Sequence, residues 1–384
     1  MATNRLDSIW TPTFALLCLA QFLGYAQHSL LTPTFPLYVT HFGGSPFVVG
    51  LVLASFAVTS VLFRPLIGSW ADSWNEAGVL VSGLLFQGAS ILLCFIPVVE
   101  ATMLANGLRG IGWAGLNTGG YSLLGEASGY YSGVQGSATI LFLAVALWLI
   151  DAPLGGFRVV FVVAAALPVI GAGAGVLLAR YAPRAAHDGH ADSPSSWRLG
   201  IFTLLERDVL LASALLFCLH LSLPAVTSFL VLYARAIGIG NIGWYFVVSG
   251  ATSLLSRPVL GRVSDKIGRG RALVAGFALQ IVALLLLVAA SSLTGLLISG
   301  VLYMLGFGIG SSTTLALAVE RANPQRRGRA MATFSVAFPL SAGVGALLTG
   351  SAVEIVGYFW MFLIIAGLGA SGLVLTLTNW SSLK

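Results

Sequence analysis

The stretch FRPLIGSWADSWNEAG, Phe63 to Gly78, has a counterpart 193 positions further on, SRPVLGRVSDKIGRGR, Ser256 to Arg271. Arg-Pro, then Gly, then Asp keep one spacing in both, as Arg64, Pro65, Gly68 and Asp72 and again as Arg257, Pro258, Gly261 and Asp265. The second copy is dense in positive charge, and the first carries none after its Arg-Pro. The match extends outward at the same offset: Gly50 pairs with Gly243, Gly83 with Gly276 and Gln87 with Gln280. Further on the offset widens, and GEASGYYSG from Gly125 answers GRAMATFSV from Gly328. The first half lacks about eight residues at this point, where the second carries the basic loop VERANPQRRGRA. That gap predicts a tight turn near Leu124–Gly125, or an unwound end to the preceding helix.

Composition says what medium the repeat lives in. Of 384 residues, 57% are apolar and only 8% charged, with a mean hydropathy of +0.94. Soluble domains carry about 25% charge, so this chain belongs in lipid. A spanning helix needs about 20 mainly apolar residues. Twelve such stretches are found, near 11–39, 47–71, 78–98, 101–124, 127–150, 156–180, 208–236, 241–264, 271–290, 293–319, 328–352 and 356–378. The first is read as a true span because it is long, lacks a small-residue cleavage site and runs straight into further spans. The expected fold is an all-α membrane protein of two pseudo-symmetric six-helix bundles. Residues 1–180 and 208–384 form the bundles. The linker 181–207 is polar at first and then carries a candidate interfacial amphipathic helix around Trp197, Ile201 and Leu205.

The net charge of +6 would suggest nucleic acid in a soluble protein, but its placement argues otherwise. With both termini inside, 14 of the 19 Lys and Arg fall on inner segments, which is the positive-inside bias. An integral inner-membrane protein with both termini cytoplasmic is therefore expected. Internal duplication of this kind builds many secondary transporters, with the substrate site near the midplane between the halves.

At the repeated phrase the chain resembles the major facilitator superfamily. The signature Gly-x-x-x-Asp-(Arg/Lys)-x-Gly-(Arg/Lys)-(Arg/Lys) stands in the second half as Gly261, Asp265, Lys266, Gly268 and Arg269, with Gly270 displacing one charge. The first half keeps Gly68 and Asp72 but loses the cations. The resemblance spans the whole chain and implies alternating access, in the manner of the drug and sugar efflux members with twelve helices. Physically, an Asp at the inner end of one helix can face the N-terminus of a helix in the other half, where the macrodipole favours a carboxylate by about 0.3–1 kcal/mol. Asp72 would meet the chain near Gly328, and Asp265, the stronger latch, the chain near Gly125. Both contacts would hold the inner side shut. A second family pattern, Arg-x-x-Gln-Gly, is disturbed: Asn106 stands at the Arg position and Arg109 at the Gln position, before Gly110.

A charge inside a span is expensive and usually functional. Arg64 and Arg257 are thus candidate gate residues, with Glu126 and Glu320 as candidate partners, although a long Arg stem can also snorkel to the surface. Polar side chains near helix centres are candidates for cargo or proton contact: Gln21, Tyr25 and His28, then Arg109, Asn117 and Gln135, then His220, Tyr245 and Tyr303. Polar side chains are also ordinary glue between membrane helices, and each stays open to that reading. No carboxylate sits near a helix midpoint. His28 and His220 are therefore the central proton candidates, with Asp151 as the acidic runner-up. Pro33, Pro36 and Pro224 are expected to break the first and seventh helices.

The run GFGIGSS at Gly306 lies in an apolar helix without a Walker lysine, which excludes ATP drive on this motif. Cys18, Cys94 and Cys218 stand singly, and His187 and His190 lie in the polar linker. No cofactor, metal site, enzyme centre or nucleic-acid partner is expected. The partners are a small-molecule substrate, protons and lipids, and the chain is expected to be a monomer. The reading is an exporter of small organic molecules by proton antiport. A lipid-handling or uncoupled facilitative member and a sugar or metabolite importer are the alternatives.

Overall fold

The computed structural model describes residues 11–123, 128–181, 206–323 and 326–383. These are helical, with no strand among them. The first bundle holds α1 Pro12–His41, α2 46–73, α3 Glu76–Phe95, α4 Val99–Ser122, α5 Ser128–Asp151 and α6 Phe157–Tyr181. The second holds α7 Arg207–Ala236, α8 Gly243–Ile267, α9 Arg269–Ala289, α10 Leu293–Arg321, α11 327–356 and α12 358–378. Among the described residues eight helices are long and apolar enough to cross a membrane, and the bent α2 makes a ninth. One of the eight is Thr333–Thr378, which Gly357 divides into α11 and α12 by its φ of 80°. The other two spans are α4 and α8, whose charged residues, Arg109 and the Arg257–Lys266 group among them, lower their hydropathy.

Local chemistry explains the helix ends. Thr11, Ser45, Asn75 and Ser292 cap α1, α2, α3 and α10 through their side-chain oxygens, with Pro12 and Pro46 in the first turns. Within α2 the chain bends by 43° at Phe63, immediately before Arg64-Pro65, because proline removes a backbone donor and crowds the preceding turn. α1 corrects the expectation for its prolines: it runs as one helix through Pro33 and Pro36. The hydroxyls of Thr32, Thr34 and Thr40 bond carbonyls of the same stretch, at 2.6–2.9 Å, and neighbouring helices enclose it. α7 does break, with a turn at Leu221–Ser222 and a π-helical turn Ala225–Phe229 around Pro224.

Lipid offers no hydrophobic drive for helices to associate, so close packing at small residues does that work. A Cβ on Gly83 would stand 2.7 Å from the Gly112 carbonyl, and one on Gly276 3.0 Å from that of Gly306. The duplicated glycines thus seat α3 on α4 and α9 on α10 in the same way. Between the halves, α2 packs on α11, α5 on α8 and α1 on α7.

Among the described residues, the buried core joins the halves at the end away from the chain termini. One apolar cluster runs across both halves there, through Leu30, Phe35, Leu147, Val226, Phe229 and Tyr245. Among the described residues, the clusters toward the terminal end each lie within one half. The distal end is further tied by Arg235 on Asp151 at 2.8 Å. There too Glu354 at the end of α11 accepts from Ser45 Oγ at 2.6 Å and from the Phe47 amide at 2.8 Å. The molecule is therefore closed at the distal end.

The tight turn at Leu124–Gly125, Glu126, the amphipathic part of the linker and both linker histidines lie outside the described residues. So do the side chains of Asp72, Arg257 and Asp265.

Candidate functional site

A cavity of about 590 Å³ lies between the halves near mid-depth, within the range of small-molecule sites. α1, α4 and α5 form one wall, and α7, α8, α10 and α11 the other. Among the described residues, those lining it include no Asp, Glu, Lys or Arg.

The first wall is built around His28. The ring stacks on Trp113 with centroids 4.4 Å apart, and Trp113 meets Tyr25 at 4.5 Å. Behind His28, away from the cavity, lies Arg109, only 3% exposed. Its Nε and one terminal nitrogen donate to Asn106 Oδ1 at 3.0 and 2.7 Å. The other terminal nitrogen lies 3.3 Å from His28 Nδ1. The guanidinium also stands 4.5 Å from the Phe56 ring centroid, a contact worth about 0.5–2 kcal/mol. Asn106 is itself fixed by donating to the Val52 carbonyl at 2.6 Å. Among the described residues no carboxylate pairs with Arg109.

The other polar candidates of this half are tied to one another. Gln21 donates to the Leu116 carbonyl at 2.9 Å and accepts from Gln135 at 3.3 Å. Tyr25 donates to Asn117 Oδ1 at 2.8 Å, and Asn117 donates back to the Trp113 carbonyl.

The second wall is neutral. His220 shares a hydrogen bond with the Leu216 carbonyl through Nδ1 at 3.0 Å and meets Phe307 and Phe338 edge-on, at 4.7 and 5.0 Å. Tyr303 and Ser222 share a hydrogen bond of 2.8 Å. Among the described residues the buried hydroxyls of Tyr245 and Ser249 have no partner beyond each other. The glycine packing aligns α4 with α10 at an offset of 194 (306 − 112), and the two polar pairs coincide at that offset. Tyr303 stands for Arg109 (303 − 109 = 194) and Ser222 for His28 (222 − 28 = 194).

Away from the cavity, Arg64 reaches across the halves to Ser335 Oγ at 3.0 Å and to its carbonyl at 3.3 Å. Glu320, offered as a partner for Arg64 or Arg257, accepts from Arg269 at 2.6 Å, and the side chain of Arg257 lies outside the described residues. Lys266 is exposed, and Gly268 makes the α8–α9 turn at a φ of 89°. Nothing lies within 4 Å of a Cβ built on Gly68. Asp151 stands at the distal surface on Arg235, well away from the midplane. Glu354 was not singled out from the sequence. Its signal was the Ser45-Pro46 cap, which marks a helix N-terminus that favours a carboxylate.

The family model described as Major Facilitator Superfamily matches residues 17–241 and 236–379. The chain belongs to that superfamily. Among curated relatives of this superfamily member, the uncharacterized MFS-type transporter YhhS of Escherichia coli K12 is 27% identical, covering 92% of this chain and 89% of the relative. The multi-drug resistance efflux pump PmrA of Streptococcus pneumoniae serotype 4 is 26% identical, covering 90% of each. Among solved structures, a variant of the nucleoside transporter NupG aligns with a TM-score of 0.76 over 97% of this chain and all of that one, at 15% identity, which shows the fold. This superfamily member is therefore a transporter with twelve helices in two bundles, and the cavity between its walls lies where such folds place substrate.

Proposed function

We propose that this chain is a proton-coupled secondary carrier of small organic molecules, working by alternating access between two six-helix halves. The observation that carries the proposal is the mid-depth cavity in whose wall the imidazole of His28 rests on a buried arginine. Among the described residues Arg109 is the charged group that bonds His28; Phe56 from α2 and Trp113 from α4 are neutral. A proton on Nδ1 would set two cations against each other, so proton uptake and a rearrangement of this wall are one event.

The positive-inside bias supports placing the terminal end in the cytoplasm. On that orientation the structure is open inward, and the distal contacts of Glu354 and Asp151 are the outer latch. Asp72 and Asp265 would then be the inner latch of the opposite state, with Arg64 in the gate beside them. Export is the direction that the relation to PmrA, an efflux pump, supports, and with proton coupling that is antiport. Cotransport with protons is the second reading, favoured by the lack of a counter-ion on Arg109.

The test is uptake into proteoliposomes of the purified chain across a panel of organic solutes, with a pH gradient of either sign and with none. Solute flux that follows the gradient is expected, and the sign of the dependence separates antiport from cotransport. Flux indifferent to the gradient would refute coupling, and lipid scrambling without solute flux would refute the carrier reading.

A further inference from the structure

The charge balance of the first wall says what the cargo should be. A guanidinium buried at mid-depth is costly, and buried charges are normally paired. Arg109 has a neutral amide, an imidazole and two aromatic rings around it, and no carboxylate among the described residues. An arginine only donates, so the contact with His28 makes Nδ1 the acceptor and leaves the imidazole proton on Nε2. Among the described residues no side chain or carbonyl takes that Nε2–H. The His28 ring is partly exposed although it sits mid-helix in a cavity wall, so its free part faces the cavity. The wall therefore presents one donor, backed by a full positive charge that nothing in the wall neutralises.

The rest of the cavity sets the body of the ligand. Trp113 and Tyr25 stand beside His28, and Phe307, Phe338 and Phe246 face them from the second half. Flat apolar faces on both walls suit a planar ring held between them. A cation would meet the Arg109 field with no carboxylate to receive it.

We propose that the cavity selects aromatic monoanions: the anionic group accepts from His28 Nε2–H, the ring lies between the aromatic faces, and Arg109 positions and polarises His28 from behind. This rests on the carrier reading and narrows its cargo to one chemical class, excluding lipophilic cations. His28 is the contact residue and Arg109 the positioning residue.

The test is equilibrium binding to the purified full chain in detergent of three probes sharing one ring: naphthoate, naphthalenemethanol and naphthylmethylammonium. Naphthoate is expected to bind about tenfold or more tightly than the other two, the size of one charge-assisted hydrogen bond. Arg109→Gln should abolish that preference, and Arg109→Lys should keep part of it. Should Arg109→Gln fail to fold, His28→Phe, which keeps a stacking ring and removes the donor, should abolish it equally. Equal binding of all three, tighter binding of the cation, no binding of any, or a preference that survives Arg109→Gln or His28→Phe would overturn the proposal. None of those results touches the carrier reading, which solute flux decides separately.

Discussion

Arg109 with His28 in the first half and Tyr303 with Ser222 in the second occupy the same place in the duplicated fold, one charged and one neutral. The packing around them has been conserved between the halves, down to the paired glycines that seat α3 on α4 and α9 on α10. The chemistry has not. Close helix approach tolerates no Cβ, so those glycines are held in both copies, whereas a cavity wall is free to diverge once one half can carry the charge. The halves thus divide the work, with a polar, titratable wall facing an aromatic, uncharged one.

The largest effect should come from removing the charge. Arg109→Met is expected to eliminate gradient-driven flux while changing stability by less than about 1 kcal/mol. The lost bonds to Asn106 and His28 are opposed by no longer burying a cation that no described carboxylate pairs. Thermal unfolding in detergent together with flux measures both. A destabilised protein would show that Arg109 is structural, and the contrast between the halves would lose its meaning.

The neutral pair should matter less. Tyr303→Phe removes one hydrogen bond, worth about 1 kcal/mol, and initial rates should fall by less than about tenfold. A loss as complete as that of Arg109→Met would erase the difference between the two walls.

A smaller effect is expected at the distal end. Asp151→Asn breaks an exposed ion pair, and such pairs contribute about 0–1 kcal/mol. Accessibility of a cysteine introduced at the distal mouth should rise only slightly. Glu354→Gln weakens the cap on α2 and should shift the same readout in the same direction. A fully opened distal end in either variant would mean that these surface contacts, rather than the shared apolar cluster, hold it shut.

The sequence carried the fold because lipid imposes it. Twelve apolar stretches and a repeated phrase left little freedom in helix number or order. The connection between the last two spans was expected at 353–355, whereas the break falls at Gly357, because it depends on a single φ of 80° that composition does not reveal. His28 and Arg109 stood out separately as polar residues in spans, but their bond joins positions 81 apart and is set by how α1 lies on α4. The pairing of Glu320 with Arg269, and of Glu354 with α2, is hidden for the same reason: helix rotation decides which surface charges meet. Pro33 and Pro36 misled because their effect on a helix depends on neighbours and back-bonding hydroxyls, which one strand of sequence does not place in space.

The most direct test of the central claim, that the His28–Arg109 wall couples protons to cargo, is to compare gradient-driven flux with cargo exchange at equal pH in proteoliposomes carrying His28→Ala. Loss of gradient-driven flux with exchange retained at weaker cargo affinity is the predicted result, because alternating access needs the two halves while coupling needs the imidazole. Gradient-driven flux that persists at the wild-type rate would contradict it.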